Sequence, residues 1–151
     1  MKKEIVSAAS LLFLQYGYKA VTMDDLAVHM RISKKTIYQY FNDKTSLVRS
    51  AVLLVFDEVK DQIIDVQLSI DNPIEALYKI KKIAVQVLGK KDKSPQYQLQ
   101  KYYPAIYNEI RSKELSALGD CFEMSLKNGM ASGLFRSDLN TNFITRIYFN
   151  G

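Results

Sequence analysis

The stretch Arg31–Lys44, RISKKTIYQYFNDK, concentrates side chains that can bind a polyanion. It contains four cations, two hydroxyl residues and three aromatic rings. Ammonium and hydroxyl groups donate hydrogen bonds to phosphate oxygens and to base edges, and phenol rings pack on sugars while their hydroxyls reach phosphates. The combination predicts contact with a nucleic acid duplex. Solubilising surface charge is the alternative for the lysines, and core packing is the alternative for the aromatic rings.

Apolar residues recur at helical spacing on both sides of this stretch, which predicts short helices that position it. The first helix ends at Gly17, which can adopt the left-handed conformation of a helix end. Its apolar stripe consists of Ile5, Ala9, Leu12, Phe13 and Tyr16. Thr22 and Ser33 can cap the next two helices with their hydroxyls, and a long fourth helix follows Asp43.

Two short helices joined by a tight turn form a helix-turn-helix, whose second helix enters the major groove of DNA. Lys34, Lys35 and Thr36 lie in the first turn of that helix, where they can reach base edges or phosphates. Tyr38 and Tyr40 follow, with phenols that can donate to phosphates, and Phe41 is assigned to the core. Lys44 opens the fourth helix, where free backbone N–H groups favour an anion.

Composition limits the other classes of function. The chain has 151 residues, 48% hydrophobic and 25% charged, as is usual for a soluble globular protein. Its longest apolar run, Ala51–Phe56, is far shorter than a membrane span, so we expect a cytoplasmic protein without membrane insertion. Cys121 is the only cysteine and His29 the only histidine, which excludes an intrachain disulfide and a multi-histidine metal site. We expect no metal and no cofactor.

The formal net charge of +5 is concentrated towards the N-terminus, where residues 1–47 carry seven Lys or Arg against four Asp or Glu. This bias suits nucleic acid, although a solvated basic face is the commoner explanation of so small an imbalance. An enzyme is disfavoured because the sequence has no acid/base pair near a nucleophile and no phosphate-binding loop. The alternative to DNA binding is a helical module that uses its basic face on a protein or a membrane.

Residues Gly17–Leu47 resemble the DNA-binding domain of the TetR family of bacterial transcriptional regulators. The family pattern is approximately G-[FY]-x-x-x-T-x-x-x-[IL]-A-x-x-A-G-V-S-x-x-T-[IL]-Y-x-[YH]-F-x-x-K-x-x-L. The residues that match it in register are Gly17, Tyr18, Thr22, Leu26, Ala27, Ser33, Thr36, Ile37, Tyr38, Tyr40, Phe41, Lys44 and Leu47. The chain departs from the pattern at Met30 and Arg31, where the family usually has Ala and Gly. Arg31 is therefore expected to have a positive φ.

The resemblance implies a homodimeric, ligand-responsive repressor, not an enzyme, that binds a palindromic operator in double-stranded DNA and is released by a small-molecule effector. It also implies a set of DNA contacts, with Lys34 to Thr36 nearest the bases. The implied DNA-binding residues are Thr22, Ser33, Lys34, Lys35, Thr36, Tyr38, Tyr40 and Lys44.

The predicted fold is all-α, with a helix-turn-helix DNA-binding domain at residues 1–47 and a helical effector-binding and dimerisation domain at residues 48–151. The second domain is read as a long helix over 43–70, a helix from Asn72 to Gly89, a segment broken by Pro104, a further helix ending at Gly133, and a last helix from near Asn140. In the family the last two long helices pair with those of a second subunit. The chain ends within the first of these, so we expect it to be truncated, with an apolar stripe that lacks its partner. The stripe consists of Phe143, Ile144, Ile147 and Tyr148.

The second domain is rich in aromatic residues, which predicts an effector pocket with largely apolar walls and a few phenol hydroxyls. Ordinary packing is the alternative for each of these residues. The predicted pocket residues are Phe56, Tyr78, Tyr103, Tyr107 and Phe122.

Overall fold

A computed structural model describes residues 1–88 and 94–150, which form eight helices and no strand. This confirms the predicted all-α fold for these residues. The helices are α1 Lys2–Tyr16, α2 Met23–Met30, α3 Lys34–Tyr38, α4 Lys44–Ser69, α5 Pro73–Leu88, α6 Pro95–Tyr102, α7 Pro104–Ala131 and α8 Thr141–Asn150.

Most helix boundaries follow from local capping chemistry. The Oδ1 atom of Asp43 accepts from the backbone N–H of Ser46 at 2.7 Å, which places the start of α4 where the sequence predicts it. Asn72 accepts from Ile74 N–H at 2.9 Å before α5, and Asn140 accepts from Phe143 N–H at 2.9 Å before α8. The predicted end of α5 at Gly89 lies outside the described residues.

Gly17 is required at the end of α1 for two reasons. Its φ is 93°, in a region that residues with a Cβ rarely adopt. A Cβ at this position would also collide with the side-chain amide of Gln98 on α6. The predicted end of α1 at Gly17 is confirmed.

The chain divides into two compact units. Unit 1 consists of Met1–Asp57 with Lys90–Ile110, and unit 2 consists of Glu58–Gly89 with Arg111–Gly151. The boundaries between the units fall inside α4 and inside α7, so each of these helices contributes residues to both units. The predicted DNA-binding domain, residues 1–47, lies wholly within unit 1, and its boundary at residue 47 stays a prediction.

Unit 1 has one apolar core to which the first four helices and residues of α6 and α7 contribute. Phe13 packs against Tyr18 with ring centroids 5.3 Å apart, and Tyr18 meets Tyr103 edge to face at 6.5 Å. The buried residues that form this core are Ile5, Ala9, Leu12, Phe13, Tyr18, Val21, Met23, Leu26, Ala27, Ile37, Phe41, Leu47, Val48, Ala51, Val52, Leu99, Ile106 and Ile110.

Unit 2 has a smaller core built from α4, α5 and α7, in which Ile63, Ile80 and Leu118 are buried. The side-chain amide of Gln67 donates to the carbonyl oxygen of Cys121 at 2.8 Å and so joins α4 to α7. Within residues 1–88 and 94–150, no helix combines the length and apolarity needed to cross a membrane.

Two predictions about helices are wrong in detail. Tyr16 was assigned to the buried stripe of α1, but its side chain is 59% exposed because it is the last helical residue before the chain turns at Gly17. The region after Pro104 is a single helix to Ala131, although the sequence suggested a further, separate helix that ends at Gly133. No proline interrupts residues 105–131, so backbone hydrogen bonding can continue through them.

Candidate nucleic-acid interface

The helix-turn-helix begins with a capping box at Thr22. The Thr22 hydroxyl accepts from the backbone N–H of Asp25 at 3.1 Å, and the Asp25 carboxylate accepts in return from the Thr22 N–H at 2.8 Å. The Thr22 hydroxyl in turn donates to the Asp25 carboxylate at 2.7 Å, and this hydrogen bond, followed by the one from the Thr22 N–H, lowers the pKa of Asp25. Thr22 is therefore a structural cap whose hydroxyl is already engaged. A phosphate contact from Thr22 stays a prediction.

The turn between α2 and α3 has its left-handed residue at Arg31, with φ 55° and ψ 39°. This confirms the positive φ expected from the register of the family pattern. The Arg31 N–H donates to the Val28 carbonyl at 3.1 Å and the Ile32 N–H donates to the Ala27 carbonyl at 3.0 Å, which ends α2 in a single turn. A short connection of this kind is what sets the angle between the two helices.

Helix α3 is held by its own hydroxyl pair and by one buried side chain. The Ser33 hydroxyl accepts from Thr36 N–H at 3.0 Å and lies 2.7 Å from the Thr36 hydroxyl. Ile37 is completely buried and Phe41 is 3% exposed, so both anchor this helix to the core of unit 1. The prediction that Phe41 belongs to the core is confirmed.

Polar and aromatic side chains of α3 and of the turn that follows it are exposed to solvent. Tyr38 and Tyr40 are 44% and 40% exposed. Lys35 is exposed, and within the described residues it has no ion-pair partner. The structure thus brings three of the predicted DNA-contacting side chains onto an accessible surface. Their contact with DNA stays a prediction.

Lys34 lies next to this surface but has an intramolecular partner. Its Nζ donates to the Oδ2 of Asp24 at 2.7 Å, and this hydrogen bond is the main reason that the pKa of Lys34 is raised. Sequence reasoning did not identify Asp24 as a partner of Lys34. One feature of the sequence could have revealed the pair: a carboxylate lies in the first turn of one helix of the helix-turn-helix, and an ammonium group lies in the first turn of the other.

Lys44 connects the start of α4 to the α1–α2 connection. Its Nζ donates to the carbonyl oxygen of Lys19 at 3.2 Å and lies 6.0 Å from the ring centroid of Phe13. Partial burial lowers the pKa of Lys44, although nearby Asp25 acts in the opposite direction. The ammonium has two further protons with which it can donate to another acceptor.

A second ion pair joins α4 to α7. Arg49 donates from Nε and from Nη2 to the two carboxylate oxygens of Glu109 on α7, each at 2.8 Å. Such a two-pronged geometry defines the orientation of both side chains better than a single contact does. Nothing in local sequence reveals this pair, because its members are sixty residues apart.

The predicted effector residues fall in different surroundings. Phe56, Tyr103 and Tyr107 are partly buried against the core of unit 1, and burial raises the pKa of Tyr103. Tyr78 and Phe122 belong to unit 2, where the Tyr78 side chain is 72% exposed. A pocket formed by the five residues stays a prediction. No cluster of side chains suited to a metal ion occurs among residues 1–88 and 94–150.

Comparison with known proteins agrees with this geometry. Residues 5–51 match the family model described as bacterial regulatory proteins, tetR family. The chain is 35% identical over 78 residues to the biofilm operon icaADBC HTH-type negative transcriptional regulator IcaR of Staphylococcus aureus, strain Newman. That alignment covers 52% of this chain and 42% of the relative, so the chain spans less than half the length of this curated relative.

Solved structures extend the likeness beyond the helix-turn-helix. A transcriptional regulator of the TetR/AcrR family from Thermobifida fusca superimposes with a TM-score of 0.68 at 20% identity, over 99% of this chain and 80% of that one. AibR, in its complex with isovaleryl coenzyme A and operator DNA, gives a TM-score of 0.61 at 18% identity over 99% and 82%. At these identities the likeness shows a shared fold. The family match itself covers residues 5–51, which therefore resemble a tetR-type DNA-binding domain.

Proposed function

We propose that this chain is a transcriptional regulator that binds duplex DNA through α2 and α3. The observation that carries the proposal is that residues 5–51, which match the TetR DNA-binding domain, expose Lys35 and Tyr38 on α3 and Tyr40 just after it. Cations and phenols are suited to base edges and phosphates, respectively. The regulator acts in the cytoplasm, where the DNA is, and it is not an enzyme.

The regulator acts as a repressor on a two-fold symmetric operator. A negative regulator is the named activity of the relative IcaR, and this supports repression here. One helix-turn-helix contacts only a half-site, and two half-sites lie about 34 to 36 Å apart, so a homodimer is part of the proposal. Helix α8 supports a dimer because Phe143 and Ile147 are 61% and 56% exposed and lie four residues apart, on the same side of the helix.

A small molecule with apolar groups releases the regulator from DNA. Support comes from AibR, which has the same fold and has been crystallised with both isovaleryl coenzyme A and operator DNA. In this chain the candidate contacts remain the predicted set of Phe56, Tyr78, Tyr103, Tyr107 and Phe122. An effector shifts the population towards a state that binds DNA less well only if it binds that state more tightly.

The proposal is tested by selecting bound sequences from random duplexes and then measuring the affinity of two variants of the chain. Tyr38→Phe removes a phosphate donor, so we expect weaker binding to all duplexes by a similar factor. Lys35→Ala removes a group near the bases, so we expect changed sequence preference as well, with about a 5- to 100-fold loss on the selected site. Circular dichroism of both variants checks that the fold is intact.

Unchanged affinity for both variants with an intact fold contradicts the assignment of α3. A salt dependence without a steep log-log slope contradicts DNA binding as such, since each neutralised phosphate contributes a slope of about −0.9.

A further inference from the structure

The side chain of Lys2 lies against the connection between α3 and α4. Its Nζ is 5.6 Å from the ring centroid of Phe41, and Lys2 itself is exposed. Phe41 is buried in the core of unit 1 and follows Tyr40 directly in the chain. The Lys2 ammonium is therefore held beside the segment that exposes the Tyr40 phenol.

Lys2 has no carboxylate partner within residues 1–88 and 94–150. Glu4 is the acidic residue nearest to it in sequence, and Glu4 pairs with the Met1 ammonium at 3.3 Å. The Phe41 ring attracts the Lys2 ammonium without cancelling its charge. An ammonium has three donors, so it can lie over a ring and still donate to an acceptor on its other side. Lys2 can thus bind an anion without breaking an ion pair.

The position of Lys2 suits a phosphate rather than a base. The first turn of a recognition helix is the part that meets base edges, whereas Lys2 lies beside the connection that follows α3. Groups that flank a recognition helix hold the phosphates of the duplex. A cation that neutralises a phosphate releases a condensed counterion, and this gain is the same for every sequence.

We propose that Lys2 is a further DNA-binding residue, which contacts the same phosphate as Tyr40 or the next phosphate of that strand. The inference rests on the proposed DNA binding. Lys2 lies outside the predicted contact set and outside residues 5–51, which match the family model, so neither assigns it this role. It raises the affinity for duplex DNA and leaves the preference between sequences unchanged.

The first test compares Lys2→Gln with Lys3→Gln in the full chain, on the selected operator and on a scrambled duplex of equal length. Both changes remove one ammonium group from an exposed position of α1. Lys3 is the matched control because it lies about 100° further around the helix, and within the described part of the chain it has no ring contact. Circular dichroism checks that both variants are folded.

For Lys2→Gln we expect about a fivefold loss of affinity at 0.15 M salt on both duplexes, with a slope against log salt that is shallower by about 0.9. Lys3→Gln should change neither affinity by more than twofold. Lys2→Arg keeps the charge and should bind the operator within twofold of the unmodified chain.

The second test locates the contact by replacing operator phosphates, one at a time, with uncharged methylphosphonates. At the phosphate that Lys2 contacts, the replacement should weaken the unmodified chain but not Lys2→Gln. Tyr40→Phe locates the phosphate of Tyr40 in the same way. We expect the two positions to coincide or to be neighbours on one strand.

Equal losses for Lys2→Gln and Lys3→Gln overturn the inference, because general attraction by charge then accounts for both. A loss for Lys2→Gln without such a phosphate, or with one further from that of Tyr40, overturns it too. If the unmodified, folded chain binds no duplex, the proposed function itself fails. The measurement on the unmodified chain therefore separates the two failures.

Discussion

Replacing Arg31 with glycine should stabilise the chain. Arg31 is the only residue other than glycine with a positive φ among the described residues, and its side chain is exposed at the turn between α2 and α3. The turn needs this conformation because the Arg31 and Ile32 N–H groups both bond back to the last turn of α2.

The size of the effect follows from two opposing contributions. A residue with a Cβ in the left-handed region costs about 1 to 2 kcal/mol, because Cβ approaches the following carbonyl oxygen. Glycine removes this cost but gains freedom in the unfolded chain, which costs about 0.4 to 1 kcal/mol. We expect Arg31→Gly to raise the free energy of unfolding by about 0.5 to 1 kcal/mol, which is about 1 to 4 °C in melting temperature for a chain of this size.

Thermal unfolding followed by circular dichroism measures the shift, with Arg31→Ala as the matched control. Alanine also removes the guanidinium group but retains Cβ, so it should give no stabilisation. The reasoning is refuted if the glycine variant melts at or below the temperature of the alanine variant, because the loss of the side chain would then account for any change.

Two further predictions concern packing and ionisation. Gly129→Ala should lower the free energy of unfolding by about 1 to 3 kcal/mol, because the new Cβ meets the ring of Phe135. At Gly119 a Cβ has room, so Gly119→Ala should stabilise α7. Denaturant titrations that shift in the same direction for both variants would contradict this prediction. Burial raises the pKa of Tyr18 to about 12 from 10.0, so the unfolded chain ionises first and stability is lost as pH rises from 10 to 12. In unfolding measured at pH 9 and pH 11.5, Tyr18→Phe should reduce this loss by about 2 kcal/mol, whereas Tyr16→Phe, at an exposed position, should leave it unchanged.

The features that could be predicted from sequence are those set by neighbouring residues. Thr22 and Ser33 cap helices because a hydroxyl reaches an N–H three residues ahead, and this geometry is independent of the rest of the fold. The conformation of Arg31 followed from its register in the family pattern. Phe41 was assigned to the core correctly, because it lies four residues after the buried Ile37.

The features that could not be predicted depend on residues distant in sequence. Lys34 was assigned to DNA as though it were free, but the packing of α2 on α3 brings Asp24 within hydrogen-bond distance of it. Lys44 was assigned to phosphates, although the path of the α1–α2 connection places the Lys19 carbonyl beside its ammonium. Helical periodicity gives neither contact, since it reports which face of a helix is apolar and not what approaches the polar face.

Unit 1 consists of two separate segments of the chain, and this affects how it folds during synthesis. Leu99, Ile106 and Ile110 complete the core on which α1 to α4 pack, and the segment Glu58–Gly89 is translated before them. Ribosomes add about 5 to 20 residues per second, so several seconds pass between the synthesis of Asp57 and that of Ile110, the last core residue of unit 1. During that interval its apolar surface is uncovered in the cell. The proposed DNA-binding surface is encoded first, but the unit that carries it is completed only when the chain has been made to Ile110.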